Sequence, residues 1–292
     1  YQLIPSLQIE PTTEGLREAP AMLFNIEIPP VMNVMSALVL SVFVGLSTSW
    51  VRSEQMERLL DTFQQMVLRL VERVLMPLLP LFIAANFCVL SYEGALTKQL
   101  PIFLSVLVVV IGCHYLWLAL LYGLASLYSK QNSWRVLRHY GPAYLTALGT
   151  MSSAATLGTS LTCAGRSPLL RKEIIDVMVP LFSNIHLCGS ILTETFFVMT
   201  VSQVLYGYLP DPTTMAVFIL LLGLFAIGAP GVPGGTVLAS LGLIISIVGF
   251  DEAGTALLLT IFALQDSFGT ACNVTGDGAL TLIVDTFEKK SN

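Results

Sequence analysis

Apolar residues run through this chain in long blocks of two kinds, uninterrupted and broken in the middle. Val31 to Trp50 carries no formal charge and, at about 1.5 Å of rise per residue, is long enough to cross the hydrocarbon core of a bilayer. Leu100 to Ser129 is likewise without formal charge, and His114 is its one residue that titrates near neutrality. A histidine in such a block is expected to be a hydrogen-bonded packing residue rather than a ligand. Between these blocks, a helical pattern from Glu54 to Tyr92 begins amphipathic, with Arg58, Arg69, Glu72 and Arg73, and turns wholly apolar from Met76. That pattern predicts one long helix whose charged half lies at a membrane interface.

The broken blocks predict hairpins. Pro212 to Phe250 runs 39 residues without a formal charge, nearly twice the ~20 residues of one crossing yet too short for two crossings and a loop. Its centre, Gly228-Ala229-Pro230-Gly231-Val232-Pro233-Gly234-Gly235, cannot continue a helix, because proline lacks a donor and glycine favours irregular backbone. Trp134 to Gly165 has the same form around Thr150-Met151-Ser152-Ser153-Ala154-Ala155-Thr156-Leu157-Gly158. Non-helical backbone at membrane depth is tolerated where it is buried in protein or lines a polar cavity, so both tips are candidate gates or sites.

Loop charges set an expected orientation. Arg52, Arg58, Lys130, Arg135, Arg138, Arg166, Arg171, Lys172, Lys289 and Lys290 fall in connections on one side, whereas Tyr206 to Thr214 and Gly249 to Gly254 carry no Lys or Arg. Lysine and arginine concentrate in cytoplasmic connections, so the first hairpin is expected to enter from inside and the second from outside. Such an inverted pair points to a transporter site near the midplane.

Polar groups gather on the last apolar block. Asp266, Thr270, Asn273 and Asp277 are separated by near-whole turns of a helix and form one stripe. Ionisable groups aligned at membrane depth cost several kcal/mol unless a cation or polar ligand meets them, which marks the stripe as a binding surface. Composition agrees with a membrane setting: 54% of residues are hydrophobic, 11% charged, and the mean hydropathy is +0.77. A net charge of −5 leaves no basic surface for nucleic acid. Cys88, Cys113, Cys163, Cys188 and Cys272 lie in apolar surroundings without paired spacing, the pattern of buried free thiols. The polar, proline-containing lead over residues 1–30, opening on Tyr1, is expected of a chain whose N-terminal part is missing.

With these motifs in hand, the chain resembles the dicarboxylate/amino acid:cation symporters, which include the glutamate transporter homologues. The resemblance rests on Asn273-Val-Thr-Gly-Asp277, Gly231-Val-Pro-Gly-Gly235 and Ser152-Ser153 with Thr156-Leu157, in the family's order and spacing. It implies an all-α integral membrane protein with two inverted re-entrant helical hairpins, multi-pass in the cell membrane, lacking the family's first two or three helices. It further implies a homotrimer, with scaffold helices over residues 31–98 and a moving transport domain over 99–292. That domain would hold a helix, hairpin 1 (134–165), an unwound helix (173–207), hairpin 2 (213–248) and the last helix (252–288).

The family's site carries over by position. The resemblance implies that Asp266 holds a substrate α-amino group, that Thr270 and Asn273 contact the substrate, and that Ser152, Ser153 and the tip residues Gly231, Val232, Pro233 and Gly234 close over its carboxylate. A buried carboxylate suits an ammonium, and tip amides and helix N-termini suit a carboxylate. Gly269 stands where acidic-substrate members carry arginine, and Phe262 where they carry the acid that supports it. The joint loss of that pair points to a neutral amino acid; close helix packing at Gly269 is the other reading, and an acidic amino acid or dicarboxylate is the alternative substrate.

Cation coupling follows the same route. Asp277 and Asn273 match ligands of a sodium site, where hard oxygens suit a hard cation. His186-Leu187-Cys188-Gly189-Ser190 aligns with the family's Asn-Met-Asp-Gly-Thr motif, so of its sodium ligands an amide has become imidazole and a carboxylate thiol. His186 and Ser190 remain candidate cation contacts. Glu194 matches a position that is glutamate in proton-coupled members. Two readings of other classes stand beside this one. His186 and Cys188, with Cys272 and Asp277, could form the zinc site of an intramembrane enzyme, or the chain could bind substrate without transporting it.

Overall fold

The computed structural model describes residues 31–32, 34–70, 73–74, 76–229 and 231–291. The polar lead over 1–30, Glu72 of the amphipathic stretch and Pro230 of the second tip lie outside the described residues. The protein is an all-α integral membrane protein. Its helices, in chain order, are α1 (Val34–Val51), α2 (Glu54–Leu70), α3 (Met76–Glu93), α4 (Ala95–Ser129), α5 (Trp134–Leu137), α6 (Gly141–Thr150) and α7 (Ser153–Gly165). They continue with α8 (Lys172–Ile185), α9 (Cys188–Val201), α10 (Pro212–Gly228), α11 (Gly235–Leu243) and α12 (Glu252–Ser291). Among the described residues, three spans are long and apolar enough to cross a membrane: Leu100–Ser129, Lys172–Tyr206 and Glu252–Lys290.

Of the stretch from Glu54 to Tyr92, the described residues form α2 and α3 on either side of positions outside the described residues. One expectation is corrected. Of the five free cysteines, Cys88 is exposed and Cys113 and Cys188 half-buried, leaving Cys163 and Cys272 buried. A uniformly apolar helix such as α3 gives no periodicity by which to tell an outward face from an inward one.

Both broken segments are helical hairpins whose legs pack on each other. In the first, α6 ends at Met151, which adopts the left-handed conformation with φ of 52°, a strained state for a side chain with a Cβ. Ser152 then extends the chain and caps α7, its Oγ accepting the Ala155 N–H at 3.2 Å. In the second, Asp211 caps α10 through the amides of Thr213 and Thr214, with Pro212 in the first turn. The Thr214 hydroxyl and amide hold the Asp211 carboxyl below the ordinary carboxylate range. The α8–α9 segment breaks at His186 and Leu187, whose backbones leave helical geometry.

The 40-residue α12 is the axis of the fold, packing against α4, α6, α8 and α9. One core surrounds its first half, where Phe103, Val110, Phe197, Phe218, Leu222, Leu243 and Phe262 are buried. A second surrounds its other half, with Tyr122, Tyr140, Ala147, Val179 and Leu282. Hairpin 2 therefore belongs to one core and hairpin 1 to the other. At the far end Arg171 Nε donates to Asp285 at 2.8 Å and also pairs with Glu288, while Lys289 meets Asp285, tying the start of α8 to the end of α12.

Candidate functional site

The polar stripe is inside the protein. Asp266, Thr270, Asn273 and Asp277 are 5%, 4%, 1% and 1% exposed, so each polar group needs a partner. The break before α9 provides some of them. The first amides of any helix lack intrahelical acceptors, and Leu187, at the capping position, offers no side-chain oxygen. Asn273 caps α9 from across the interface instead: its Oδ1 accepts from Gly189 N at 2.7 Å and Ser190 N at 3.4 Å, and its Nδ2 donates to Ser190 Oγ at 2.9 Å. Such an approach requires glycine at 189, where a Cβ would lie 2.5 Å from the Gly269 carbonyl oxygen.

Asp277 is met by His186. Nδ1 of the ring lies 2.9 Å from Asp277 Oδ1, and a carboxylate oxygen accepts, so the proton sits on Nδ1. The ring fits because residue 276 is glycine; a Cβ there would lie 2.5 Å from His186 Cε1. His186 Nε2 and Asp277 Oδ2 are buried without hydrogen-bond partners. Of the oxygens expected to hold sodium, that of Asn273 is committed to α9 and one of Asp277 to imidazole, leaving Asp277 Oδ2. Among the described residues no three of His, Cys, Asp and Glu are grouped as metal ligands. His114 packs as expected, its Nε2 3.0 Å from the Gly189 carbonyl and 3.0 Å from Thr193 Oγ1.

The other end of the stripe lies under the hairpin tips. Ser152 Oγ donates to the Gly231 carbonyl at 2.6 Å and Ala154 N donates to the same oxygen at 3.4 Å, so the two tips touch. Gly234, left-handed at φ of 69°, turns its N–H onto Asp266 Oδ2 at 2.6 Å. Beside this contact opens a cavity of about 550 Å³, lined by Ile83, Ala84 and Phe87 of α3, Val237 and Leu238 of α11, and Leu259, Phe262 and Ala263 of α12. Met151, Pro233, Gly234 and Asp266 complete its tip side, and Pro80 also borders it.

The anticipated residues thus fall into groups. Ser152, Gly231, Pro233, Gly234 and Asp266 meet at the tips, whereas His186, Ser190, Asn273 and Asp277 form a second cluster on the same helix. Ser153 and Thr270 are buried and Val232 half-buried, and none of the three lines the cavity. Gly269 faces α9, where a Cβ would lie 3.3 Å from Ser190 Cα. Glu194, fully buried, accepts the hydroxyl of Ser240 from hairpin 2 at Oε1, and its Oε2 has no partner. Sequence reasoning missed the α3 wall, Met151 and Ser240. A signal existed for α12 alone: Leu259, Phe262, Ala263 and Asp266 share one helical face.

Comparison with known proteins adds a second line. The model of the sodium:dicarboxylate symporter family matches residues 2–287. The chain is 26% identical over 254 residues to excitatory amino acid transporter 2 of Mus musculus, covering 84% of this chain and 43% of the relative. It is 26% identical over 271 residues to neutral amino acid transporter B(0) of Mus musculus, covering 89% of this chain and 48% of the relative. An excitatory amino acid transporter of Caenorhabditis elegans is 28% identical over 161 residues, which are 55% of this chain and 32% of the relative. The chain spans less than half the length of these curated relatives.

Proposed function

Because the chain belongs to the sodium:dicarboxylate symporter family, a family of transporters rather than enzymes, we propose that it carries a neutral amino acid across the plasma membrane together with a cation. One observation carries the choice of substrate: Asp266 is the only charged side chain among the described residues that line the cavity at the hairpin tips. A carboxylate there attracts an ammonium. No cation in the lining balances a second carboxylate, which would be desolvated without a partner. Phe262, 1% exposed, occupies the wall where the supporting acid would stand. The acidic or dicarboxylate alternative lacks that support.

Transport proceeds by alternating access, in which residues 99–292 move as a unit against a scaffold of residues 31–98 within a homotrimer. The two hairpins enter the membrane from opposite faces, with the arginine- and lysine-bearing connections cytoplasmic. Substrate exchange requires the Ser152–Gly231 and Gly234–Asp266 contacts to part, since these hold the tips over the carboxylate. Sodium is the family's ion, and Asp277 is its candidate contact. His186 already fills one side of Asp277, which favours a weaker sodium requirement than an asparagine would give. Glu194 is the candidate proton carrier.

Uptake into proteoliposomes tests this reading, with sodium and proton gradients imposed separately across a panel of amino acids. Neutral amino acids should accumulate under at least one gradient, and excess glutamate should not compete. Preferential accumulation of glutamate or a dicarboxylate would overturn the neutral assignment.

A further inference from the structure

We infer that Gln265 is a positioning residue for Glu194, taking over its carboxyl when hairpin 2 opens; this rests on the reading of Glu194 as the proton carrier. Gln265 is fully buried on α12, and neither its Oε1 nor its Nε2 has a hydrogen-bond partner among the described residues. A buried carboxamide without partners is costly. The contact between α9 and α12 shows what it faces. His186 meets Asp277, the Gly189 amide meets Asn273, and Ser190 lies against Gly269, so the two helices run antiparallel. One turn takes about four residues. One turn on from Ser190 is Glu194, and one turn back from Gly269 is Gln265, which sets both on the shared face at one level. Glu194 Oε2 is likewise buried and unpartnered there.

The two polar neighbours of Glu194 behave differently when the gate moves. Its Oε1 accepts from Ser240 of α11, the leg of hairpin 2 that leads away from the tip. Opening the tip, on which substrate exchange depends, draws that hydroxyl away. Gln265 stays, because it belongs to the 40-residue helix on which α9 packs. An amide serves either protonation state: Nε2 donates to a carboxylate, and Oε1 accepts from a carboxylic acid. The carboxyl therefore keeps a polar partner while it gains or loses its proton beside an apolar core that includes Phe197 and Phe262. Few other titratable groups are near. Of the elements packed on α9, α12 brings Asp266, close enough to act on Glu194 through space, and α4 brings His114, bonded to the neighbouring Thr193. Helices α10 and α11 carry no titratable side chain, and Tyr206, beyond the end of α9, is bonded to Asp251.

Uptake of alanine and leucine into proteoliposomes under an imposed proton gradient, followed across pH, tests the assignment. Gln265→Met matches the side-chain volume without a hydrogen-bonding amide, and Gln265→Asn keeps the amide. Gln265→Met should lower proton-driven uptake about tenfold, the effect of losing one hydrogen bond to a charged group. Its pH profile should move to higher pH, since an apolar neighbour disfavours the ionised carboxyl. Melting in detergent should not fall, because the amide has no bond to lose while hairpin 2 is closed. Gln265→Asn should keep more of the uptake and of the original profile. In a Glu194→Gln background, adding Gln265→Met should leave the pH profile where Glu194→Gln alone sets it. An unshifted pH profile in Gln265→Met, or lost uptake that tracks a lowered melting temperature, would overturn the positioning role and leave Glu194 as the carrier. Absent or proton-indifferent uptake of both amino acids by the unmodified protein would overturn both readings.

Discussion

Two carboxylates share one buried face of α12 and meet opposite circumstances. Asp266 has one oxygen on a glycine amide and borders a cavity; Asp277 has one oxygen on a histidine ring. The first is held by a backbone contact at a hairpin tip, which can open when the tip moves. The second is held by a side chain anchored at the helix break between α8 and α9. A buried charge is a binding site only where its neighbours leave it something to bind. Where the chain supplies a partner itself, as His186 does for one oxygen of Asp277, less of the carboxylate is left for a ligand.

That contrast is sharpest in stability. His186→Ala removes the partner of Asp277 and leaves a buried carboxylate unpaired, which typically costs about 3–5 kcal/mol. Thermal unfolding in detergent should fall accordingly, and sodium should recover part of the loss by occupying the vacated space. An unchanged melting temperature would mean that His186 does not support Asp277. Asp266→Asn should behave in the opposite way. The amide keeps an acceptor for the Gly234 N–H but loses the charge, so substrate affinity should fall about 100-fold, the ~3 kcal/mol of a truncated charge-assisted contact. Melting should barely move; normal uptake by this variant would remove Asp266 from the amino-group role.

Gly276→Ala probes the Asp277 end without touching either charged partner. The added Cβ would lie 2.5 Å from His186 Cε1 and 3.2 Å from Leu121 Cδ2, so the ring must swing away from the carboxylate. Overpacking of this kind costs typically 1–3 kcal/mol, and about 2 is expected here. The sodium response of melting should increase in the same direction as in His186→Ala. Ser152→Ala belongs to the other end. It removes the cap of α7 and the bond to Gly231, and should cost about 1 kcal/mol while loosening the contact between tips.

What could be seen in advance follows physical range. The tip of hairpin 2 was legible because proline and glycine act on their own backbone; the cap of α7 by Ser152 was not anticipated. The stripe was legible because helical spacing alone aligns Asp266, Thr270, Asn273 and Asp277. The trans-cap of α9 by Asn273 was not: it depends on which amides a helix break leaves empty and on how closely α12 crosses it. The pairing of His186 with Asp277 has the same origin, since the sequence aligns each with a cation site without stating that they touch. The α3 wall escaped because an evenly apolar helix carries no mark of its inner face, as the exposure of Cys88 also shows.

Gly269 is the position where the smallest effect is expected. As a glycine within α12 it weakens the helix by about 0.8–1 kcal/mol relative to alanine. A Cβ would meet Ser190 at 3.3–3.4 Å, tight enough that α9 must give by tenths of an ångström. The two contributions oppose each other, so Gly269→Ala should shift stability by less than about 0.5 kcal/mol, within the range of a mild substitution. Relative affinities for neutral amino acids should stay unchanged, because residue 269 faces α9 and does not line the cavity beside Asp266. A changed substrate order in this variant would give Gly269 a direct part in selectivity; a large loss of stability would show that α9 is too firmly capped by Asn273 to move.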